Sequence, residues 1–459
     1  MIGTALEPAH VTLRRLAARE VSPREVVEKA ESAYRERNGE LNAIVTPTFQ
    51  TAKREAAEAE RRIARGEMRV LEGLPLAVKD SVPTAGVRTT YGSPLFENEI
   101  PLEDALHVAR LRAAGAILVG KTNTPEFEVG INTRNTVFGQ TLNPHDPSLG
   151  AGGSSGGSAV ALATGMCAIA DGTDHGGSIR IPASVVGVVG FRPSPGRIPL
   201  HPSSWAYDSF AVVGPLARTA RDAALIASVM SGPDPRVPIS RAPIARTEAA
   251  DLRGWRIAWA GDLGGLLSLD ADIAGATRRA ARRFAQLGCD LVDASPDWHD
   301  AAEIIGAARS FRTAVVMDAF HDRSDEIANP WLREFIDRAD RMSLAEAARG
   351  EAARSRYWER TAAFFERHRL LLLPATQWAA FPKDRDFPQV VGGRNMSGVV
   401  ESILATYAVT IAGLPAISVP CGRTAAGLPI GLQIVGGWQR DEDVLSAAIA
   451  FEDASAAAR

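Results

Sequence analysis

The stretch Gly150 to Pro182, GAGGSSGGSAVALATGMCAIADGTDHGGSIRIP, constrains this chain more than any other. Two glycine-serine clusters, Gly152 to Ser158 and Asp174 to Ser178, bracket a short apolar segment. Glycine permits positive φ and close approach of another group to the backbone, so a Gly-Gly-Ser turn can aim successive N–H groups at one point, and such a point binds an anion. The small apolar run Ser158 to Thr164 predicts a helix buried on all sides, its positive end facing Ser154 and Ser155. Ala168 to Ala170 predicts a short interior strand that delivers Thr173 to Ser178 to the same neighbourhood.

Upstream, the apolar run Leu74 to Val78 ends at Lys79. A serine hydroxyl is a weak nucleophile unless a base takes its proton, and lysine is a base only while neutral; removal from water pushes its pKa that way. Taken alone, Lys79 reads as a solvated lysine at a strand end and GGSSGG as a flexible linker. Their conjunction with GTDHGGSIR argues for a site. Gly153 to Gly157 also fits G-x-S-x-G, which would make Ser155 the nucleophile, but that turn follows a strand and the preceding NPHDPSLGA is loop. The stretch holds no nucleotide-binding glycine pattern.

The motifs GGSSGGSA and GTDHGGSIRIPA, preceded by LPLAVKD and followed in order by VGPLARTARDAA, AGLPAISVPCG and LPIGLQIVG, with GKTNTPEFE and NTVFGQTLNP between, resemble the amidase signature family. The resemblance runs over most of the chain. It implies an amide hydrolase that releases a carboxylate and ammonia or an amine. Ser178 would be the nucleophile, Ser154 the bridging serine behind a cis Gly153–Ser154 peptide, and Lys79 the base. The backbone N–H groups of His175, Gly176, Gly177 and Ser178 would stabilise the oxyanion, with Gly153 and Thr173 beside the substrate. Asp174 and Arg180 read as a charge pair fixing the turn, and the His175 side chain as packed or solvent-facing rather than a base. The chain departs from the family pattern at Ala151, His145 and His175. The alternative within the family is the glutaminase subunit of a tRNA-dependent amidotransferase; ESILATYAVTIAGLPAISVP lacks the aspartate common there.

Composition narrows the partners. A net charge of −3 with interspersed signs leaves no phosphate-binding footprint, so no nucleic acid is expected; the partner that the resemblance implies is a small-molecule amide. Cys167, Cys289 and Cys421 are widely spaced, as reduced thiols are, and the histidines show no metal-ligand spacing; neither a metal nor another cofactor is expected. No run of about 18 apolar residues occurs, which predicts no membrane span and a cytoplasmic protein. A homodimer is the candidate oligomer.

Strand Gly73 to Val78, helix Glu103 to Ala113 and strand Ile117 to Val119 form a β–α–β pattern. The expectation is one large α/β domain over residues 1–459, with a central mixed, mostly parallel twisted sheet covered by helices on both faces. The signature region spans about residues 73–200. A mostly helical region, about 299–368, and the loop Thr376 to Asn395 are expected to shape the pocket. Trp205, Tyr207, Trp378, Phe381, Phe387 and Met396 are its candidate hydrophobic residues.

Overall fold

The computed structural model describes residues 6–457. Near its start, helix α1 (Pro23–Leu41) opens on a capped turn: Ser22 Oγ accepts from the Glu25 N–H, the Glu25 carboxylate accepts from the Ser22 N–H, and proline occupies a position that needs no donor.

The core is an eleven-stranded sheet. Its strands are β1 (Ile44–Pro47), β2 (Pro75–Lys79), β3 (Ile117–Thr122), β4 (Ile169–Asp174), β5 (Val189–Arg192), β6 (Val212–Ala217), β7 (Arg256–Trp259), β8 (Asp290–Asp293), β9 (Leu370–Pro374), β10 (Ala416–Arg423) and β11 (Pro429–Gly436). They lie in the order β1-β3-β2-β4-β6-β5-β10-β11-β9-β7-β8. The mixed sheet expected from the sequence is present, but its balance is not: six of the ten interfaces are antiparallel and four parallel. The difference lies at the centre. There β5 and β6, each buried along its length, turn antiparallel to β4, to each other and to β10. Strands buried on both faces lack the polar alternation that marks a strand in sequence, so VGFR and VVGPLA read only as apolar patches between turns.

The β–α–β unit is as expected, with helix α2 (Leu106–Ala113) joining β2 to a parallel β3 in a register that pairs Lys79 with Thr122. Strand β4 lies parallel to β2 on its other side, Leu76 opposite Ile169. The C-terminal ends of β2 and β4 therefore meet at one edge, which brings Lys79 beside Thr173. Helix α3 (Gly156–Ala163) is buried from Gly156 through Leu162 and packs against β2, β4 and β6. Only side chains this small let a helix sit so close to the sheet: a Cβ on Gly157 would fall 2.7 Å from the Asn123 carbonyl oxygen.

Helix α4 (Arg180–Val186) follows the second glycine cluster. The wall facing it is built from α5 (Ala301–Met317), α6 (Pro330–Asp340), α7 (Leu344–Phe365) and α8 (Leu404–Ile411), with α5 packed against each of the other three. Among the described residues no helix is long and apolar enough to cross a membrane.

Candidate active site

Lys79 closes β2 with no exposed surface. Its backbone N–H donates to Asp171 Oδ1 at 2.7 Å, and its ammonium donates to Ser154 Oγ and Thr173 Oγ1, both at 2.6 Å. Burial pulls the Lys79 pKa below that of an ordinary lysine, against the opposing pull of Glu128, Asp171 and Asp174. Lys121, one strand away, is buried too and is lowered to about 8, again by burial. Its ammonium is spent on the Val82 carbonyl and the hydroxyls of Thr84 and Thr89, and it does not reach the cavity.

Ser154 is fully buried behind a cis Gly153–Ser154 peptide, as the resemblance implied. A Cβ on Gly153 would lie 2.7 Å from the Gly130 carbonyl oxygen, so only glycine fits there. Ser178 stands at the end of the second cluster, partly exposed to the cavity, and its carbonyl accepts from the Ser155 N–H at 3.1 Å. The structure thus joins Lys79, Ser154 and Thr173 by hydrogen bonds. Among the described residues the Ser178 hydroxyl makes none, so the Ser178–Ser154 link is open here. Reactive hydrogen bonds are commonly loose in an enzyme without substrate.

The turn before Ser178 is fixed from below by Asp174. This carboxylate accepts from the N–H groups of Gly177 at 2.9 Å and Ile179 at 3.2 Å. It also accepts from Arg180 at 2.8 and 2.9 Å and from Arg192 at 3.2 Å. Burial alone would raise its pKa, but the two guanidinium groups and the backbone N–H of Ile179 hold it well below the usual carboxylate range. The buttress expected of Asp174 and Arg180 is therefore present, with Arg192 added. Gly177, at φ +113°, is wedged against the Thr406 side chain, where any other residue would be both strained and crowded. With the Gly177 N–H committed to Asp174, the N–H groups of His175, Gly176 and Ser178 are those of the turn that donate to no group among the described residues.

The His175 side chain is packed. Its ring lies edge-on to Phe210 and Tyr407, neither ring nitrogen has a partner among the described residues, and burial followed by the fields of Arg312, Arg309 and Arg192 holds its pKa well below that of a free histidine.

One group at the site was not legible in the sequence. Glu128 Oε1 lies 3.4 Å from Lys79 Nζ and accepts from Thr173 Oγ1 at 2.6 Å and Ser81 Oγ at 2.5 Å. It is aimed there by an unusual backbone: Phe127 and Glu128 both adopt positive φ, +47° and +65°, locked by N–H bonds to Tyr91 and Pro125. Burial would raise the Glu128 pKa, but Lys79 and the two hydroxyls bring it below that of an ordinary glutamate. GKTNTPEFE marks a turn after Pro125, but nothing in it tells where the second acid points.

These groups open on a cavity of about 380 Å³ lined by Gly153, Thr173, His175, Gly176 and Ser178 on one side. The other side is formed by Tyr91, Phe96 and Phe127 with Arg309, Arg312, Met317 and Phe320 of the helical wall. Within the region about 299–368, Arg309, Arg312, Thr313, Val316, Met317, Phe320, Leu332 and Phe335 line this cavity. The loop Thr376 to Asn395 and the six candidate hydrophobic residues do not reach the cavity. Trp378 and Phe381 meet edge to face inside the core, Phe387 packs on Trp331, Trp205 on Phe311, Met396 is buried elsewhere, and Tyr207 is 65% exposed. Of the six, Trp378, Phe381 and Met396 are taken into the core, while Trp205 and Phe387 are half-buried.

A family model described as Amidase matches residues 25–445. The chain belongs to the amidase signature family. An acylamidase of Rhodococcus erythropolis is 34% identical over 95% of this chain and 93% of its own length. A glutamyl-tRNA(Gln) amidotransferase subunit of Thermosynechococcus vestitus is also 34% identical, over 96% of each chain. The crystal structure of a bacterial aryl acylamidase of the same family superposes with a TM-score of 0.91 at 29% identity, covering 98% of this chain and 97% of that one. As an amidase, the chain is a hydrolase of amide C–N bonds acting on small-molecule amides.

Proposed function

We propose that this amidase works through an acyl-enzyme on Ser178. The reading rests above all on Lys79: a lysine shut away from water, its pKa pulled below the ordinary value by burial and its Nζ 2.6 Å from Ser154 Oγ, is placed to exchange a proton with that serine. The Ser178 hydroxyl passes its proton to Ser154 as Ser154 passes its own to Lys79, and the Ser178 oxygen bonds to the amide carbon. The developing oxyanion is met by backbone N–H groups of the 175–178 turn. Those of His175, Gly176 and Ser178 are uncommitted, and the Gly177 N–H contributes only by loosening its bond to Asp174. As the tetrahedral intermediate collapses, Ser154 returns a proton to the leaving nitrogen and is recharged by Lys79. Water then attacks the ester by the same relay in reverse and restores Ser178. Gly153 and Thr173 flank the reacting amide.

The similarity to the amidotransferase protein supports a second reading, in which glutamine is the amide and ammonia passes to partner subunits. Hydrolysis of an aryl amide, an aliphatic amide, a peptide amide and glutamine, by wild type and Ser178→Ala, tests both. Product release from any of the first three, lost in the variant, supports the amidase reading; release from glutamine alone, with copurifying partners, supports the second. Retained activity in Ser178→Ala would overturn the acyl-enzyme.

A further inference from the structure

Four arginines surround the second glycine cluster, and three of them are paired. Arg180 and Arg192 share Asp174, and Arg312 Nε donates to Asp208 at 2.8 Å. Arg309 has no carboxylate within ion-pair distance among the described residues. Its one side-chain bond is from Nη1 to the Tyr407 hydroxyl, at 3.3 Å, and its guanidinium lies over the Phe335 ring, 3.7 Å from the centroid. Both contacts orient it and leave most of its five donors unused. Arg309 is partly buried and lines the cavity that holds Ser178.

The position of Arg309 relative to the chemistry is fixed through Tyr407. That ring presses on the 175–178 turn so closely that a Cβ on Gly176 would meet it at 2.8 Å. One phenol ring therefore separates the guanidinium from the N–H groups that face the reacting carbonyl. Glu128 opens on the same cavity beside Lys79 and Thr173, next to the relay from which the leaving nitrogen must collect its proton. An anion on the amine side of the substrate would meet that carboxylate; an anion on the acyl side would meet Arg309.

We propose that the amide substrate carries a carboxylate at the far end of a short acyl chain, and that Arg309 binds it. The inference rests on the amide-hydrolase reading and adds to it the charge and the side of the substrate. A stacked, uncompensated guanidinium matches a planar carboxylate in a two-pronged bond, and the partner it lacks within the protein comes with the ligand.

The test measures binding separately from turnover. The Ser178→Ala protein is titrated calorimetrically with glutaric acid mono-anilide, with the neutral valeric anilide, and with valeric 4-carboxyanilide, whose carboxylate sits on the amine side. The mono-anilide is expected to bind about tenfold to a hundredfold more tightly than either of the others. Arg309→Met in the same background removes that preference, and Arg309→Lys keeps part of it, while the melting temperature of each variant shows that it is folded. Equal binding of the mono-anilide and the neutral anilide, or a preference unchanged in Arg309→Met, overturns the proposal. Preference for the 4-carboxyanilide overturns the assignment to the acyl side. Wild-type hydrolysis of the same three compounds reports separately on amide cleavage, so a loss of one reading is not mistaken for a loss of the other.

Discussion

Lys79, Ser154, Asp174, Arg180 and Arg192 are fully shielded, and all but Ser154 draw on two or more polar partners, whereas Arg309, Arg312 and Phe320 face them across the cavity only partly buried and with few bonds. The first set grows from strands and turns of the central sheet. The second hangs from helix α5 and the turn after it. In the proposed mechanism Lys79 and Ser154 move protons and must keep their distances to a fraction of an ångström, which a site of fixed neighbours provides. Groups that choose a substrate need only reach it and can stand on a wall built from more adaptable helices. The contrast teaches that substitutions on the two sides of the cavity should fail in different ways.

Ser178→Ala is the largest test. It is expected to lower kcat by about four to six orders of magnitude with unchanged secondary structure, measured as product release against a circular dichroism control. A residual rate near wild type would remove the sheet side from the chemistry altogether.

Asp174→Asn comes next, and its effect is on stability. Two buried guanidinium groups lose their shared carboxylate, which should cost about 3–5 kcal/mol in denaturant melts at pH 7. The sign with pH follows from the depressed pKa: Asp174 stabilises the fold fully above the ordinary aspartate value of 3.8, and the contribution is lost as pH falls through that value toward the lower folded one. The gap between wild type and variant should therefore narrow in acid. A constant gap would mean that the carboxylate charge is not what holds the turn.

Glu128→Gln sharpens the comparison, because Glu128 belongs to the sheet side yet faces the cavity. The carboxylate favours the ammonium form of Lys79, and the reaction needs the neutral form. Removing the charge should let the Lys79 pKa fall further, so the acidic limb of kcat/KM against pH moves to lower pH. A shift to higher pH, or none, would dismiss Glu128 as a control on the base.

Phe320→Ala should give the smallest change. The ring packs against Phe96 and Phe127 at the cavity wall. Its loss should raise KM for an aryl amide about three- to tenfold, on the order of 1 kcal/mol, with kcat within about twofold. A fall in kcat at constant KM would erase the division between the two sides.

The legible parts of the site were those specified by local chemistry. Gly153 and Gly177 announce themselves because no other residue fits there, whereas Lys79, which alone reads as a solvated lysine at a strand end, was legible only together with the two glycine-serine clusters. The Ser178 hydroxyl was legible as a residue but not in its contacts, which a bond to Ser154 or a substrate would set. Glu128 was hidden because two consecutive positive φ values, not its neighbours in sequence, point it at Lys79. Arg309 and Arg312 were hidden among many arginines of a helical region, where facing the cavity depends on how α5 packs.

By itself the sequence determined the order of the signature turns, the buried helix between them, the β–α–β unit that begins with the Lys79 strand and the membership of the chain in its family. Each depends on residues close together in the chain or on backbone demands of single positions. Only the tertiary structure decided the antiparallel centre of the sheet, the placement of Glu128 against the lysine and the isolation of Arg309 from any carboxylate. These depend on which strands and helices meet across tens to hundreds of residues, and pairing energy at that range is set by mutual burial that no single segment carries.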